Sequence, residues 1–235
     1  EYVLGMRVAA CDGEVTKSGG KVVKNVTGYD LHKFYVGTHH TLAVPVEATF
    51  RLRALPRERA AWLLPLAGLD EAAERCRQLL AVPPSCLSAC EVVDAATLRE
   101  SAALPGNAPF GLFVRADGPR ELLHEFARQL ADAFDLRLDA LPYLAGSDAM
   151  FDRLSDWSGP PLHAELATPF DGWQKLARQV ASLSPRRLQV RPAYGLLQAA
   201  WELPADNPAA RLAMPDFLRT LQAETRALGG SMFLH

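Results

Sequence analysis

The chain has 235 residues, enough for one large domain or two small ones, each with its own core. Hydrophobic residues make up 49% and charged residues 22%, and the net charge of −2 comes from 25 basic and 27 acidic residues spread without blocks. That pattern argues against nucleic acid or an anionic membrane surface as partner. No apolar run approaches the roughly 20 residues of a spanning helix, and with no signal peptide at the start the expected location is the cytoplasm.

In chain order, Glu1 to Ala10 reads as a strand, closed by an Asp12-Gly13 turn and followed by the run Glu14-Val15-Thr16. The stretch from Gly19 to Leu52 sets turns at Gly19-Gly20, Lys24-Asn25, Gly28-Tyr29-Asp30 and Gly37-Thr38 between apolar, strand-like runs. Glycines among β-branched residues mark tight turns or places where another molecule comes close to backbone. At Leu55-Pro56-Arg57 the texture changes to Ala/Leu/Arg helices with proline-bearing loops, which places a domain boundary between 1–55 and 56–235.

Beyond the boundary a strand–helix–strand pattern repeats four times. The first unit has strand 61–67, a helix with Asp70 as N-cap and Ala73, Cys76, Leu79 and Leu80 on one face, and strand 88–94. The second has strand 110–116, helix 119–134 with a stripe of Leu122, Leu123, Phe126, Leu130 and Phe134, and a strand near 136–141. A short helix around 148–157 follows. The third unit has strand 162–167, helix 170–183 with Trp173, Leu176, Ala177, Val180 and Leu183 inward, and strand 187–193. The fourth has strand 196–203, helix 215–228 with Phe217, Leu218, Leu221 and Leu228 inward, a Gly229-Gly230 stop, and strand 231–235. Four such units pair into two βαββαβ, ferredoxin-like modules.

The cysteines Cys11, Cys76, Cys86 and Cys90 form no CxxC pair and have no histidine at metal spacing, so they read as small apolar fillers in a reducing compartment. His39 and His40 would point to opposite faces of a strand, which argues against one ion bound by both. His32 could share a face with Asp30 only in extended backbone. His124 and His163 read as surface or half-buried residues, and Trp62, Trp157, Trp173 and Trp201 as core or subunit-interface packing. No metal site is expected. Nothing matches a hydrolase triad, a P-loop or a GxGxxG turn.

The segment Gly19–Leu52 resembles the second half of the PCMH-type FAD-binding domain of the vanillyl-alcohol oxidase superfamily. Within it, the segment is most similar to the FAD-binding E subunit of bacterial glycolate oxidase. The matching positions are Tyr2-Val3-Leu4-Gly5, Gly19-Gly20, Lys24-Asn25, Gly28-Tyr29-Asp30-Leu31, Gly37-Thr38, Thr41-Leu42, Val44, Glu47, Thr49 and Leu52. The family's glycines before Thr41 and after Leu42 are His40 and Ala43 here, and its Ile position is Pro45. The D-2-hydroxy-acid dehydrogenases of the superfamily look to carry metal-binding His/Glu motifs, which have no match here.

The resemblance implies an α+β fold: the C-terminal part of a PCMH-type domain over 1–55, then an α+β cap over 56–235. It implies that the chain is a fragment lacking the first half of the flavin domain and inactive by itself. Contact with FAD is carried over to Thr38, His39, His40, Thr41, Leu42, Ala43 and Val44, largely through main-chain atoms. Lys24, Asn25, Gly28, Tyr29, Asp30 and Gly37 join them as either loop-orienting or cofactor-facing residues. No catalytic residue is identified. The implied activity is oxidation of a small 2-hydroxy acid such as glycolate, with electrons passed from flavin to an iron–sulfur subunit beside a second flavin subunit. The alternative is a non-catalytic assembly subunit that keeps the fold and has lost FAD, a reading favoured by His40, Ala43 and Pro45.

Overall fold

The computed structural model describes the chain apart from residues 1, 23–27, 39, 84–85, 102–106, 146, 158–161, 203–207 and 235, and apart from the side chains of 100–101, 147 and 208–212. The chain divides into two compact units, Glu1–Leu55 and Pro56–His235. Both mix helix and strand, an α+β fold.

The first unit is a three-stranded antiparallel sheet in the order β2-β1-β3, from β1 (Val3–Ala9), β2 (Val15–Gly19) and β3 (Val44–Phe50), with the one-turn helix α1 (Leu31–Tyr35) against it. The β1–β2 hairpin closes as its residue types predict. Asp12 Oδ1 accepts from the Glu14 amide at 2.9 Å, and Gly13 takes φ +85°. Gly5 and Gly19 face each other across the strands because nothing larger fits. A Cβ on Gly19, at φ +71°, would stand 2.2 Å from the Leu4 carbonyl oxygen and 2.9 Å from the His32 ring. Pro45 stands in the edge strand β3 at a register shift beside the Val8–Pro45 pair, the kind of position where a strand proline is tolerated.

The second unit is built on one seven-stranded antiparallel sheet, ordered β10-β7-β9-β8-β5-β6-β4. Its strands are β4 (Glu58–Leu66), β5 (Leu87–Asp94), β6 (Phe110–Gly118), β7 (Leu162–Ala167), β8 (Arg187–Arg191), β9 (Leu196–Trp201) and β10 (Ser231–Leu234). Helices α2 (Leu69–Ala81), α4 (Arg120–Ala133), α6 (Trp173–Ser182) and α7 (Pro208–Ala227) cover one face. Cys90, Val92, Leu112, Val114, Val190 and Leu197 point from the sheet into that layer, where they meet Leu79, Phe126, Leu130 and Trp173. Each large side chain buried there contributes about 1.5–3 kcal/mol. A smaller cluster on the opposite face packs Ala61, Leu63, Val93 and Phe113 against Leu98 of α3 (Ala95–Ser101) and Met150 and Leu154 of α5 (Ser147–Ser155).

The connectivity from β7 to β10 is a complete βαββαβ module with strand order β10-β7-β9-β8. The earlier half, β4-α2-β5-α3-β6-α4, has three full strands. Where a fourth was expected near 136–141 the chain forms a 3-10 turn at Leu138–Ala140. The fourth-strand position is kept only by a bridge from Tyr143 to Trp62, with Leu63 donating to the Pro142 carbonyl and Leu144 to that of Ala61. The segment 136–141 alternates apolar and polar residues as a strand would, but Leu136, Leu138 and Tyr143 stay exposed for want of a second face to cover them. The modules join edge to edge through β5 and β8, paired at Val92↔Val190 and Val93↔Gln189.

Other boundaries move for physical reasons. Asp70 lies in the first turn of α2, whose N-cap is Gly68; its charge suits the helix N-terminus without capping it. Helix α7 starts at Pro208, so Pro215 sits inside it. Helices α1 and α3 were not expected. Both are short, and five to seven residues show too little period to read.

Candidate functional site

In the first unit the segment after β2 returns to the sheet through α1 and a double turn. Gly28, at φ +79°, ends the approach to α1, and Asp30 precedes the helix and pairs with Lys33 at 2.7 Å. That hydrogen bond holds the Asp30 carboxyl below its usual range. His32 turns inward and is 3% exposed, with its Nδ1 3.1 Å from Ser18 Oγ. The same hydroxyl oxygen accepts from the His32 amide at 3.1 Å and lies 3.2 Å from the Tyr29 carbonyl oxygen. This Ser18–His32 knot fastens α1 over the Gly5–Gly19 crossing. Asp30 and His32 therefore do not share a face.

The double turn is pinned by threonines. Thr38 Oγ1 donates to the Tyr35 carbonyl at 2.9 Å, and Thr41 Oγ1 and its amide donate to the Thr38 carbonyl at 2.7 and 3.0 Å. Gly37 has φ +83° and His40 φ +61°, so both stand in the left-handed region. Ala43, the other glycine replacement, does not; its small side chain is 7% exposed and packs inward. Leu42 and Val44 stay half exposed beside it, and Tyr29 is 90% exposed. A Cβ built on Gly28 or Gly37 meets no atom within 4 Å, so these turns leave open space in front of backbone. Lys24, Asn25 and His39 fall outside the described residues. Of the sequence-predicted positions, the structure places Gly28, Tyr29 and Asp30 at the entry to α1, and Gly37, Thr38, His40, Thr41, Leu42, Ala43 and Val44 between α1 and the start of β3.

In the second unit a polar row crosses the sheet face opposite the four-helix layer, and sequence reasoning missed it. Register puts Glu165 of β7 opposite Gln198 of β9, and Gln198 opposite Gln189 of β8. Gln198 Nε2 donates to Glu165 Oε2 at 3.1 Å, and Gln189 Nε2 donates to Glu91 of β5. Glu91 is 3% exposed, and Arg191 Nε lies 3.3 Å from it, an ion pair by distance without hydrogen-bond alignment. Burial pushes the Glu91 carboxyl above the usual range, while Arg191 and Gln189 pull it back. Asp94, one strand end away, is also raised by burial although it accepts from the amides of Thr97 and Leu188. The available signal was a polar residue inside an otherwise apolar strand, as in Ala89-Cys90-Glu91-Val92-Val93.

Cys76, Cys86 and Cys90 are buried thiols, and a hydrogen bond with Cys76 together with burial raises the Cys90 thiol. Among the described residues no group of three or more His, Cys, Asp or Glu side chains could hold a metal ion. None of the described helices is long and apolar enough to cross a membrane.

No family model matches the chain. It is 30% identical over 125 residues to glycolate oxidase subunit GlcD of Bacillus subtilis, covering 52% of this chain and 27% of that protein. It is 42% identical over 60 residues to glycolate oxidase subunit GlcE of Escherichia coli, covering 26% and 17%. It is also 37% identical over 71 residues to a D-lactate dehydrogenase of Archaeoglobus fulgidus, covering 30% and 16%. The matches thus span well under half the length of these relatives. Among solved structures, 4-ethylphenol oxidase from Gulosibacter chungangensis superposes on 97% of this chain and 57% of its own, with a TM-score of 0.61 at 17% identity. The p-cresol methylhydroxylase structure does so on 97% and 56%, with a TM-score of 0.59 at 14% identity. The resemblance read from the sequence holds: the chain has the fold of these PCMH-type oxidases, and its sequence is similar to glycolate oxidase subunits and to related hydroxy-acid dehydrogenases.

Proposed function

We propose that this chain is part of an FAD-linked oxidoreductase of a small 2-hydroxy acid, with residues 1–55 completing a flavin-binding domain and 56–235 forming its cap. The observation that carries this reading is the 125-residue match to a glycolate oxidase subunit. The local geometry is compatible with it. Open space before Gly28 and Gly37 admits a planar cofactor close to backbone, and exposed Leu42, Val44 and Tyr29 offer apolar surface to it. The chemistry that bound FAD would supply is acceptance of a hydride from the hydroxy acid's carbon. This chain's own part is positional: the Thr38 and Thr41 hydrogen bonds fix the turn, and the Ser18–His32 knot fixes the α1 segment that precedes it. In the proposed assembly, which includes a second flavin subunit, electrons pass from the flavin to an iron–sulfur subunit.

The alternative is an assembly subunit without flavin. His40 favours it, since its side chain stands where the family has glycine. Its left-handed backbone favours the first reading, because the turn keeps the shape a glycine would give it. A fluorescence titration of FAD against the complete protein tests both. Saturable quenching supports the flavoprotein; no binding by wild type, with binding gained by His40→Gly, supports the assembly subunit.

A further inference from the structure

The second unit contains one groove twice, and the two copies have diverged in chemistry. In the later module, α7 lies beside β7 and β10 and leaves a cavity of about 420 Å³ lined by Leu162, Met214, Leu218, Met232 and Leu234. In the earlier module, α4 lies beside β4 and the Tyr143 bridge and leaves a cavity of about 350 Å³. The helix positions correspond. Arg120, Leu123, His124 and Ala127 line one groove, and Pro215, Leu218, Arg219 and Gln222 line the other, both at spacing i, i+3, i+4, i+7. In the first copy the fourth strand is reduced to a single bridge, whereas Met232 and Leu234 of β10 line the second.

The groove beside α4 has the features of a small-ligand site: an apolar floor with a few converging polar groups. Trp62, Leu123 and Ala127 make the floor, and the Tyr143 ring, 65% exposed, forms one wall. Arg59, Arg120 and Glu58 stand at the rim. Arg59 is already held by Asp148 at 2.8 Å. Arg120 has no ion-pair partner among the described residues. The volume suits about one bicyclic ring system, at the small end of ligand cavities. An aromatic wall, an apolar floor and one uncommitted guanidinium match a flat, apolar body carrying a single negative group.

We propose that this groove binds an aromatic carboxylate, with the ring between Tyr143 and Leu123 and the carboxylate on Arg120. The site lies on the helix side of the sheet, opposite the Glu91–Gln189–Gln198 row, and does not depend on the flavin reading. Isothermal titration of the protein with 2-naphthoate is expected to show one saturable site with Kd on the order of 100 µM. Arg120→Gln is expected to weaken it about tenfold, the size of one charge-assisted hydrogen bond. Arg120 is on the surface, so the variant should keep its fold, which a circular dichroism melt verifies. Ala127→Trp, which fills the groove, should abolish binding, and neutral 2-naphthylmethanol should bind wild type and Arg120→Gln equally weakly. No saturable heat up to the solubility limit of the acid overturns the proposal. So does an affinity that either substitution leaves unchanged.

Discussion

At the scale of single residues, the most informative position is His40. It holds φ +61°, a conformation that costs an L residue about 1–2 kcal/mol, with histidine among the better-tolerated types. His40→Gly should relieve that strain and lose part of the gain to the greater freedom of glycine in the unfolded chain. The expected net is a stabilisation of about 0.5–1 kcal/mol, read from denaturant unfolding of the first unit. A destabilised variant would mean that the imidazole makes a contact worth more than the strain. The glycine requirement at 40 was legible from the family pattern, and so was its loss at 43. That only the first position needs a left-handed backbone was not legible, since φ depends on where the turn must deliver the chain to β3. Pro45 likewise reads as a defect in a strand until its place on a sheet edge is known.

At the scale of elements, the amphipathic helices were legible and the polar strand positions were not. Helix α4 buries Leu123, Phe126 and Leu130 as its period dictates, and α6 buries Trp173, Leu176, Ala177 and Val180. Leu183, which the helical period places inward, lies past the end of α6 and is 37% exposed. Glu91 sits in a strand buried on both faces, and its acid is sensed only where β5 meets β8. Because burial raises its folded pKa above the unfolded value, folding favours the protonated form. The stability that proton contributes is complete below the unfolded pKa of about 4.3 and is lost as pH rises through the folded value. Wild type should therefore lose more stability than Glu91→Gln between about pH 4 and pH 7, followed as Tm against pH. Parallel curves for the two proteins would show that Arg191 and Gln189 offset the burial completely.

At the scale of the molecule, the two units differ in how much they bury. Among the described residues, the buried apolar side chains of Glu1–Leu55 are Val8 and Ala43; every other member of the core lies in Pro56–His235. Among the described residues, thirteen of the nineteen exposed large hydrophobic side chains belong to the smaller unit, so its sheet has little to hold it closed. Native-state hydrogen exchange should find amides of β1–β3 exchanging at least about 100-fold faster than those of β5, β8 and β9. Equal protection would mean that the first unit gains its stability from surfaces other than its own core.

The α+β character, the helical stripes and the glycine-marked turns were legible in local residue type and spacing, and the similarity to glycolate oxidase subunits in a series of matching motifs. The failure of segment 136–141 as a strand, the lock of His32 onto Ser18, and the row of Glu91, Gln189 and Gln198 became visible once the chain was folded. The tertiary structure also decided that one groove occurs twice with different chemistry. These depend on which distant segments become neighbours, and burial, register and sheet edge are properties of that arrangement, not of any residue alone.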